Sequence, residues 1–381
     1  MASTPIEVNQ IYPLVNEVFQ QITGRTDLKA VDTASLVSMG TEIENLGKTD
    51  IWLNTLARRI GYTIDGYRVY HNKFADLHRT QLEWGALVQK LHVEMPDAVE
   101  DDMYNVGKMD GQALDHYIIN NPKVKQKIFD KETPYSFFIT MQDRFLKEAF
   151  LNASAMAGLI NQIFGKVQNK IEVVLEELGR TAINNMILNI EDKQNYKLVT
   201  MYNNATGKSI TPANALFDPD FLRYATGIMN NVTRKFETMS TLYNAEGKDR
   251  FTPVADQKFY MLADFLTQIE TVVQYAAFNP QYVNKTPDMA VPYWQGVKEA
   301  EKVNDFGTLS KVIGKTGTKT KTVENVVGVL FDREAAGTFR EEELVLTTPI
   351  NARGAYYNTF WHEKQLWFND LGENSVIFTL S

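Results

Sequence analysis

The chain contains no cysteine, and that absence removes disulfide frameworks, zinc ribbons, thiolate nucleophiles and iron–sulfur clusters together. It fits a reducing cytoplasm. Long apolar runs are missing as well: no window approaches the roughly 18 consecutive apolar residues that a membrane helix requires. The start MASTPIEVNQ has no basic stretch followed by an apolar block, so a soluble, unexported chain with no membrane partner is expected. Positive charge is in deficit, with 39 Lys and Arg against 47 Asp and Glu and a net charge of -8. A basic surface wrapped by nucleic acid is therefore not expected, local basic loops aside. Histidine is scarce: there are five, and His362-Glu363 lacks the second histidine of a zinc-protease helix. His71, His78, His92 and His116 are read as lone polar or capping residues, and no metal or cofactor is expected. No Gly-x-Ser-x-Gly elbow offers a serine nucleophile.

What is present is globular. Hydrophobic residues make up 44% and charged residues 23% of 381 positions, enough for a sizeable core in about two and a half domains. Ile11, Leu14, Val15, Val18, Phe19 and Ile22 predict a short amphipathic helix closed by Gly24, while Leu28 to Asp50 reads as an arm lying on another surface. IGYTIDGYRVY, residues 60–70, predicts a hairpin turning at Asp65-Gly66. Leu91 to Met95 predicts a strand with one face covered and the other wet. From Ala155 to Ile190 apolar residues recur every three or four positions, which predicts one very long helix, bent or weakened at Gly158, Gly165 and Gly179. A strand over Lys197–Tyr202 is then expected, followed by a helix capped at Asp218-Pro219 and a second opening at Thr252-Pro253. Residues 279–296 and GKTGTKTK, residues 314–321, read as loops. Strands are expected at Val326–Phe331, Leu344–Thr347, Leu366–Phe368 and Val376–Leu380, as sheet material for the long helix.

Two stretches approach the phosphate-cradling loop. Gly207-Lys208-Ser209 lacks the upstream glycine and runs into Pro212; Gly314-Lys315-Thr316 has its upstream Gly307 two residues too far away. Asp218 and Asp220 read as a helix cap rather than paired catalytic acids. Lys311, Lys315, Lys319 and Lys321 read as a solvated loop, with a nucleic-acid-facing loop as the alternative. Tyr356, Tyr357, Phe360, Trp361, Trp367 and Phe368 form the densest aromatic cluster, read mainly as core, with some members available to a neighbouring subunit.

Three stretches in order carry a resemblance: IGYTIDGYRVYHNKFADLHRTQLEWGALVQKLHVEMPDA, then LINQIFGKVQNKIEVVLEELGRTAINNMI, then VVGVLFDREAAGTF with its aromatic strands. Together they resemble the major capsid protein of tailed bacteriophages, with a texture closest to small, short-tailed, podovirus-like phages. The resemblance implies an α+β chain with the Hong Kong phage-type capsid fold. Its parts would be an N-terminal arm (1–55), an extended β loop (56–105), a spine-helix region of the peripheral domain (106–195), an axial-type α+β domain (196–325) and C-terminal peripheral strands (326–381). It implies a structural protein, not an enzyme, that assembles through pentamers and hexamers into an icosahedral or prolate shell around double-stranded DNA. Partners would be many copies of itself, with scaffolding, portal and decoration proteins, and packaged DNA touched weakly. The place would be the virion, assembled in the host cytoplasm.

Apolar positions that their own segments cannot cover point the same way, because a surface that meets a different surface on the next copy generates closed rings. Trp84, Leu87, Leu91, Val93, Tyr356, Tyr357 and Trp361 are the candidate inter-subunit contacts. A lysine–asparagine cross-link, for which Lys73 and Lys90 stand in the right region, is expected to be absent. An encapsulin-like compartment shell and, from another class, a phosphate-binding α+β enzyme using the Gly207 or Gly314 loop are the competing readings.

Overall fold

The computed structural model describes residues 8–63, 70–79, 88–96, 121–130, 132–151, 153–159, 165–276, 285–296, 305–316, 319–340 and 344–381, with 98, 111, 117 and 119 singly. Three helices come first: α1 (Val8–Thr23), α2 (Thr33–Asn45) and α3 (Thr49–Thr63). The first lies where its apolar rhythm placed it. The second corrects the expected arm. Asp32 caps it, accepting from the Ser35 amide at 2.8 Å while the Ser35 hydroxyl receives the Asp32 N–H. Leu36, Met39 and Ile43, spaced by three and four, then share one buried face. The third helix includes residues 60–63, so the first half of the expected hairpin is helical; the Asp65-Gly66 turn lies outside the described residues.

An antiparallel ribbon follows, β1 (Val88–Val93) with β2 (Val124–Phe129), and then β3 (Glu132–Gln142). Next come α4 (Asp143–Phe150), α5 (Ala153–Leu159) and α6 (Gly165–Asn189). The expected long helix is thus described as two helices, with residues 160–164 outside the description. The 25 residues of α6 span about 37 Å at ~1.5 Å each.

Beyond it lie β4 (Asn195–Lys197), α7 (Leu198–Thr206), α8 (Pro212–Ala215) and α9 (Pro219–Phe236). The strand expected over Lys197–Tyr202 is mostly α7, because Leu198, Val199 and Tyr202 form one buried helical face. Asp218 caps α9 as expected, accepting from the Asp220 and Phe221 amides at 2.9 and 3.0 Å. After β5 (Gln257–Leu262) comes α10 (Ala263–Ala276), so the helix expected from Thr252 starts eleven residues later, behind a buried strand.

Then follow β6 (Met289–Val291), α11 (Phe306–Leu309) and the pair β7 (Val312–Thr316) and β8 (Lys319–Val323). This hairpin corrects the loop read over 314–321. The tail holds β9 (Val326–Asp332), β10 (Ala336–Arg340), β11 (Leu344–Thr347), β12 (Tyr356–Asn369) and β13 (Ser375–Thr379).

The chain forms two compact units. The first comprises residues 1–86, 131–182 and 337–367, and the second residues 87–130, 183–336 and 368–381. In the first, α1 to α5 and the start of α6 enclose one core with the inner side of a sheet. That sheet places β12 in register with β3 along eleven residues, Tyr356 opposite Gln142 to Leu366 opposite Glu132, and with β11 over four. Trp52 is fully buried with its ring centroid 4.8 Å from that of Phe150.

The segment Tyr70–Leu77 is pinned on α6 by acids. Glu176 accepts from the Tyr70 hydroxyl at 2.5 Å and from Arg180 at 2.7 Å, and Arg180 lies over the Phe74 ring. Gly179 permits the close approach, since a Cβ there would stand 2.7 Å from that of Phe74.

The second unit is built on a five-stranded mixed sheet, ordered β4, β13, β9, β5, β6. All residues of β9 and β13 are buried, which is why both read as near-continuous apolar runs. Edge-to-face contacts of Tyr260 with Phe331 and Phe259 with Phe378 fill the sheet, and the Trp294 indole donates to the Val326 carbonyl at 2.8 Å. The tail therefore divides. Its β11 and most of β12 belong to the first unit; β9 and β13, expected with the peripheral strands, complete the sheet of the second.

Candidate assembly surface

The β1–β2 ribbon, within the second unit, has two unlike faces. Alternation puts Lys90 and His92 with Lys125, Lys127 and Phe129 on one side, and Gln89, Leu91 and Val93 with Val124, Gln126 and Ile128 on the other. The usual expectation would bury the apolar side. Here the opposite holds: Leu91 is 64%, Val93 54%, Val124 55% and Ile128 51% exposed. The strand alternation read from the sequence is present, but its covered face is the charged one.

The covered face is held by a compact charge cluster. Lys90 and Lys127 stand directly opposite each other, an arrangement that repels unless an anion lies between them. Asp370 supplies it. One carboxylate oxygen lies 2.6 Å from the Lys127 ammonium and the other 3.4 Å from that of Lys90, with only 2% of the Asp370 side chain exposed. Lys127 also pairs with Glu246, Lys90 with Glu373 at 3.6 Å, Lys248 with Glu246 at 2.7 Å and Arg250 with Glu373 at 3.1 Å. Phe368 completes the seat, its ring 5.2 Å from that of Phe129 and 5.4 Å from the Lys90 ammonium.

Burial alone raises the Asp370 carboxyl, but the Lys127 hydrogen bond and the charge of Lys90 outweigh it and hold the group below its ordinary value. Glu373 goes the other way, raised because burial exceeds the help from Lys90 and Arg250. His92 is lowered by burial and by Arg250 and Lys248. Along the ribbon, Leu91, Val93 and Met95 border an open cleft of about 540 Å³ whose far wall includes the exposed Met239 and Phe251.

The remaining candidates are dispersed. Trp84 and Leu87 lie outside the described residues. Tyr357 and Trp361, 6% and 3% exposed, lie on the inner side of β12 in the core of the first unit, and this corrects their reading as contacts. Tyr356 is half-buried. Among the lysines, Lys311 pairs with Glu324 at 2.6 Å and Lys321 donates to the Ile190 carbonyl at 3.3 Å, while Lys315 on β7 is exposed; the Lys319 side chain is not described. Lys90 is engaged by the acids of the cluster.

Neither phosphate-loop candidate has that geometry. Gly207, at φ 71°, is the left-handed cap that ends α7, and Gly314 sits inside β7. Among the described residues no group of three or more His, Asp or Glu is placed to hold a metal, and no helix is long and apolar enough to cross a membrane.

Sequence reasoning missed β2, Asp370 and Glu373. The alternation of VKQKIF was the available signal for the strand; the acids belong to a turn some 240 residues away and carried none. A second apolar row was also missed. On the solvent side of the first unit's sheet Leu346 stands opposite Phe360, and Phe360 opposite Phe138, which is 68% exposed.

Residues 13–379 match the Phi29-like phage major capsid protein family. The major capsid protein of Bacillus phage GA-1 is 21% identical over 375 residues, covering 97% of this chain and 70% of that protein. The major capsid protein of Bacillus phage B103 is 21% identical over 380 residues, covering 98% and 74%. A chain in the capsid structure of Staphylococcus phage Andhra superposes with a TM-score of 0.52 at 11% identity, over 82% of this chain and 85% of that one. One in the structure of the head fiber and inner core protein gp22 of native bacteriophage P68 gives 0.54 at 9%, over 83% and 86%. These likenesses establish a mixed helix-and-sheet fold shared with phage capsid proteins, and the sequence relatives are structural proteins. Matched across nearly its whole length, the chain belongs to the Phi29-like phage major capsid proteins and is a component of the virion.

Proposed function

We propose that the subunit assembles through pentamers and hexamers into a closed shell around packaged double-stranded DNA, and that the outward face of the β1–β2 ribbon is a principal contact with the next copy. The observation that carries this reading is the reversed ribbon, with Leu91, Val93, Val124 and Ile128 exposed and Lys90 and Lys127 covered. A soluble chain has no reason of its own to turn a greasy face to water, whereas a surface awaiting a partner does. In this reading α6 is the spine helix, β1 belongs to the extended β loop expected over residues 56–105, and residues 196–325 supply the axial-type domain. Trp84 and Leu87, in the same stretch as the ribbon, and Tyr356 belong to the contact set.

The net charge of -8 supports weak, non-specific contact with DNA, and the Lys311–Lys321 hairpin is the segment proposed to face it, chiefly through Lys315. Scaffolding, portal and decoration proteins are the further partners, assembly takes place in the host cytoplasm, no catalysis is involved, and subunits are not covalently cross-linked.

The test is Leu91→Asp with Val93→Asp. The doubly substituted chain is expected to remain folded by circular dichroism and to give no shells by negative-stain microscopy, under conditions where the unsubstituted chain does. Shells in normal yield from the substituted chain would remove the ribbon from the assembly contact.

A further inference from the structure

A strand pair with four apolar side chains facing water and two lysines facing protein needs something to keep it from turning over. Hydrophobic burial favours the inverted placement, so the observed one depends on what holds the charged face. That hold converges on one carboxylate. Lys90 comes from β1 and Lys127 from β2, they are cross-strand partners, and Asp370 takes one on each oxygen. Its Oδ1 is further fixed by the Gly372 amide at 3.0 Å, and its own amide donates to Ala335 at 2.7 Å, so the carboxylate is set by backbone rather than by a flexible side chain. Other groups share the load on single lysines: Glu246 pairs with Lys127, and Lys90 donates to the Glu334 carbonyl at 2.5 Å and pairs with Glu373 at 3.6 Å, but among the described acids Asp370 is the one that meets both lysines.

We propose that Asp370 is the latch of a presenting device. By bridging Lys90 and Lys127 it locks the ribbon against its own subunit with the apolar face outward, so that the free subunit meets the next copy with that surface already ordered. The gain is preorganisation: conformational freedom is surrendered inside the subunit and need not be surrendered at the contact. The value of the ordered face rests on the assembly reading above; the latch itself does not.

The experiment is amide hydrogen exchange on the soluble, unassembled full-length chain, comparing the wild type with Asp370→Asn, Lys127→Met and the double variant. Exchange over Val88–Val93 and Val124–Phe129 is expected to quicken by about tenfold or more in Asp370→Asn, the scale of a lost hydrogen bond between charged groups. Protection of β9 and β13 should stay at its wild-type level. The double variant should be no faster than the worse single one, because both substitutions undo the same bridge. Unchanged protection of the ribbon in Asp370→Asn would overturn the latch, and so would equal loss across β9 and β13, which would make Asp370 a general structural residue. Shell formation is the second readout. Asp370→Asn is expected to lower shell yield at a given concentration while leaving Leu91 and Val93 intact, and normal yield from a chain with a demonstrably loosened ribbon would overturn the presenting role. Should Leu91→Asp with Val93→Asp assemble normally, the contact reading fails while the exchange result still decides the latch.

Discussion

Glu176 and Arg180 form a buried ion pair in the middle of α6, with side chains 8% and 10% exposed, and removing one partner should be far more damaging than removing both. Glu176→Met leaves a guanidinium in the core beside Phe74 and strips the Tyr70 hydroxyl and the Lys73 amide of their acceptor, which lies 2.5 and 3.3 Å away. Breaking such a pair costs about 3–5 kcal/mol, while replacing both members by apolar residues of similar volume is often neutral or better. The side chains are nearly sealed from water, so no discount for screening applies.

The expected loss for the single variant is therefore about 3 kcal/mol, roughly two decades in an opening equilibrium. For Glu176→Met with Arg180→Met it should fall near 1 kcal/mol, left over from the Tyr70 hydroxyl. Because the chain has two units, one global unfolding curve is not a clean measure. Amide exchange over residues 165–182 reads the local opening directly. If each single variant were as mild as the double one, the pair would not be coupled, and the account of how the 70–77 segment is anchored would fail.

Trp52→Ala should cost about 3–5 kcal/mol in the first unit, read by amide exchange over α1 and α2, because the N-terminal helices are core; a loosely attached arm would show almost no change. Gly179→Ala should cost roughly 1–3 kcal/mol and raise exchange over residues 72–77, since the added methyl would meet Phe74 at 2.7 Å. The pH dependence follows from Asp370, whose native value is depressed by Lys127 and Lys90. Its contribution is complete above about pH 4 and is lost as pH falls through the native value. Glu373 and Asp332 are raised by burial and contribute in the opposite sense, so the folded state binds their protons more readily. Asp370→Asn should thus flatten the decline of the urea midpoint below about pH 4, and an unchanged acid limb would contradict the assignment.

Legibility followed the range of the forces involved. The helix at Asp218 was readable because its cap, its proline and its apolar stripe are all local, and the same holds for α1 and for β9. The N-terminal arm failed for an instructive reason. Leu36, Met39 and Ile43 look isolated among Thr, Ser, Gly and Glu, but at three- and four-residue spacing they are one face, and a thin stripe suffices when other helices supply the rest of the core. Gln257–Leu262 and Leu198–Thr206 are short apolar runs, for which period cannot separate strand from helix. The order of the large parts carried the family even though several element boundaries within them were misread. The candidate assembly surface was legible by half: Leu91 and Val93 were visible as apolar, but that they stand exposed while Lys90 and Lys127 meet Asp370 is visible only in the folded chain.

Energetics gives the reversed ribbon its sense. Fully burying an aliphatic side chain contributes about 1.5–3 kcal/mol, and each of the four ribbon residues still has roughly half its surface to lose. A neighbour that covers them gains on the order of 4 kcal/mol before entropic costs, which taken alone corresponds to a millimolar contact. A pairwise bond of that strength is too weak to lock two wrongly placed copies together, yet in the proposed assembly it would be repeated at every seam of a closed ring, where each added copy makes more than one contact. Weak repeated contacts reward any reduction in the entropy lost per contact, because that saving recurs at each seam. A ribbon flexing freely would forfeit much of the 4 kcal/mol in becoming ordered. One carboxylate bridging two facing lysines moves that loss into the folding of the subunit, and the apolar face is left with only the contact to make.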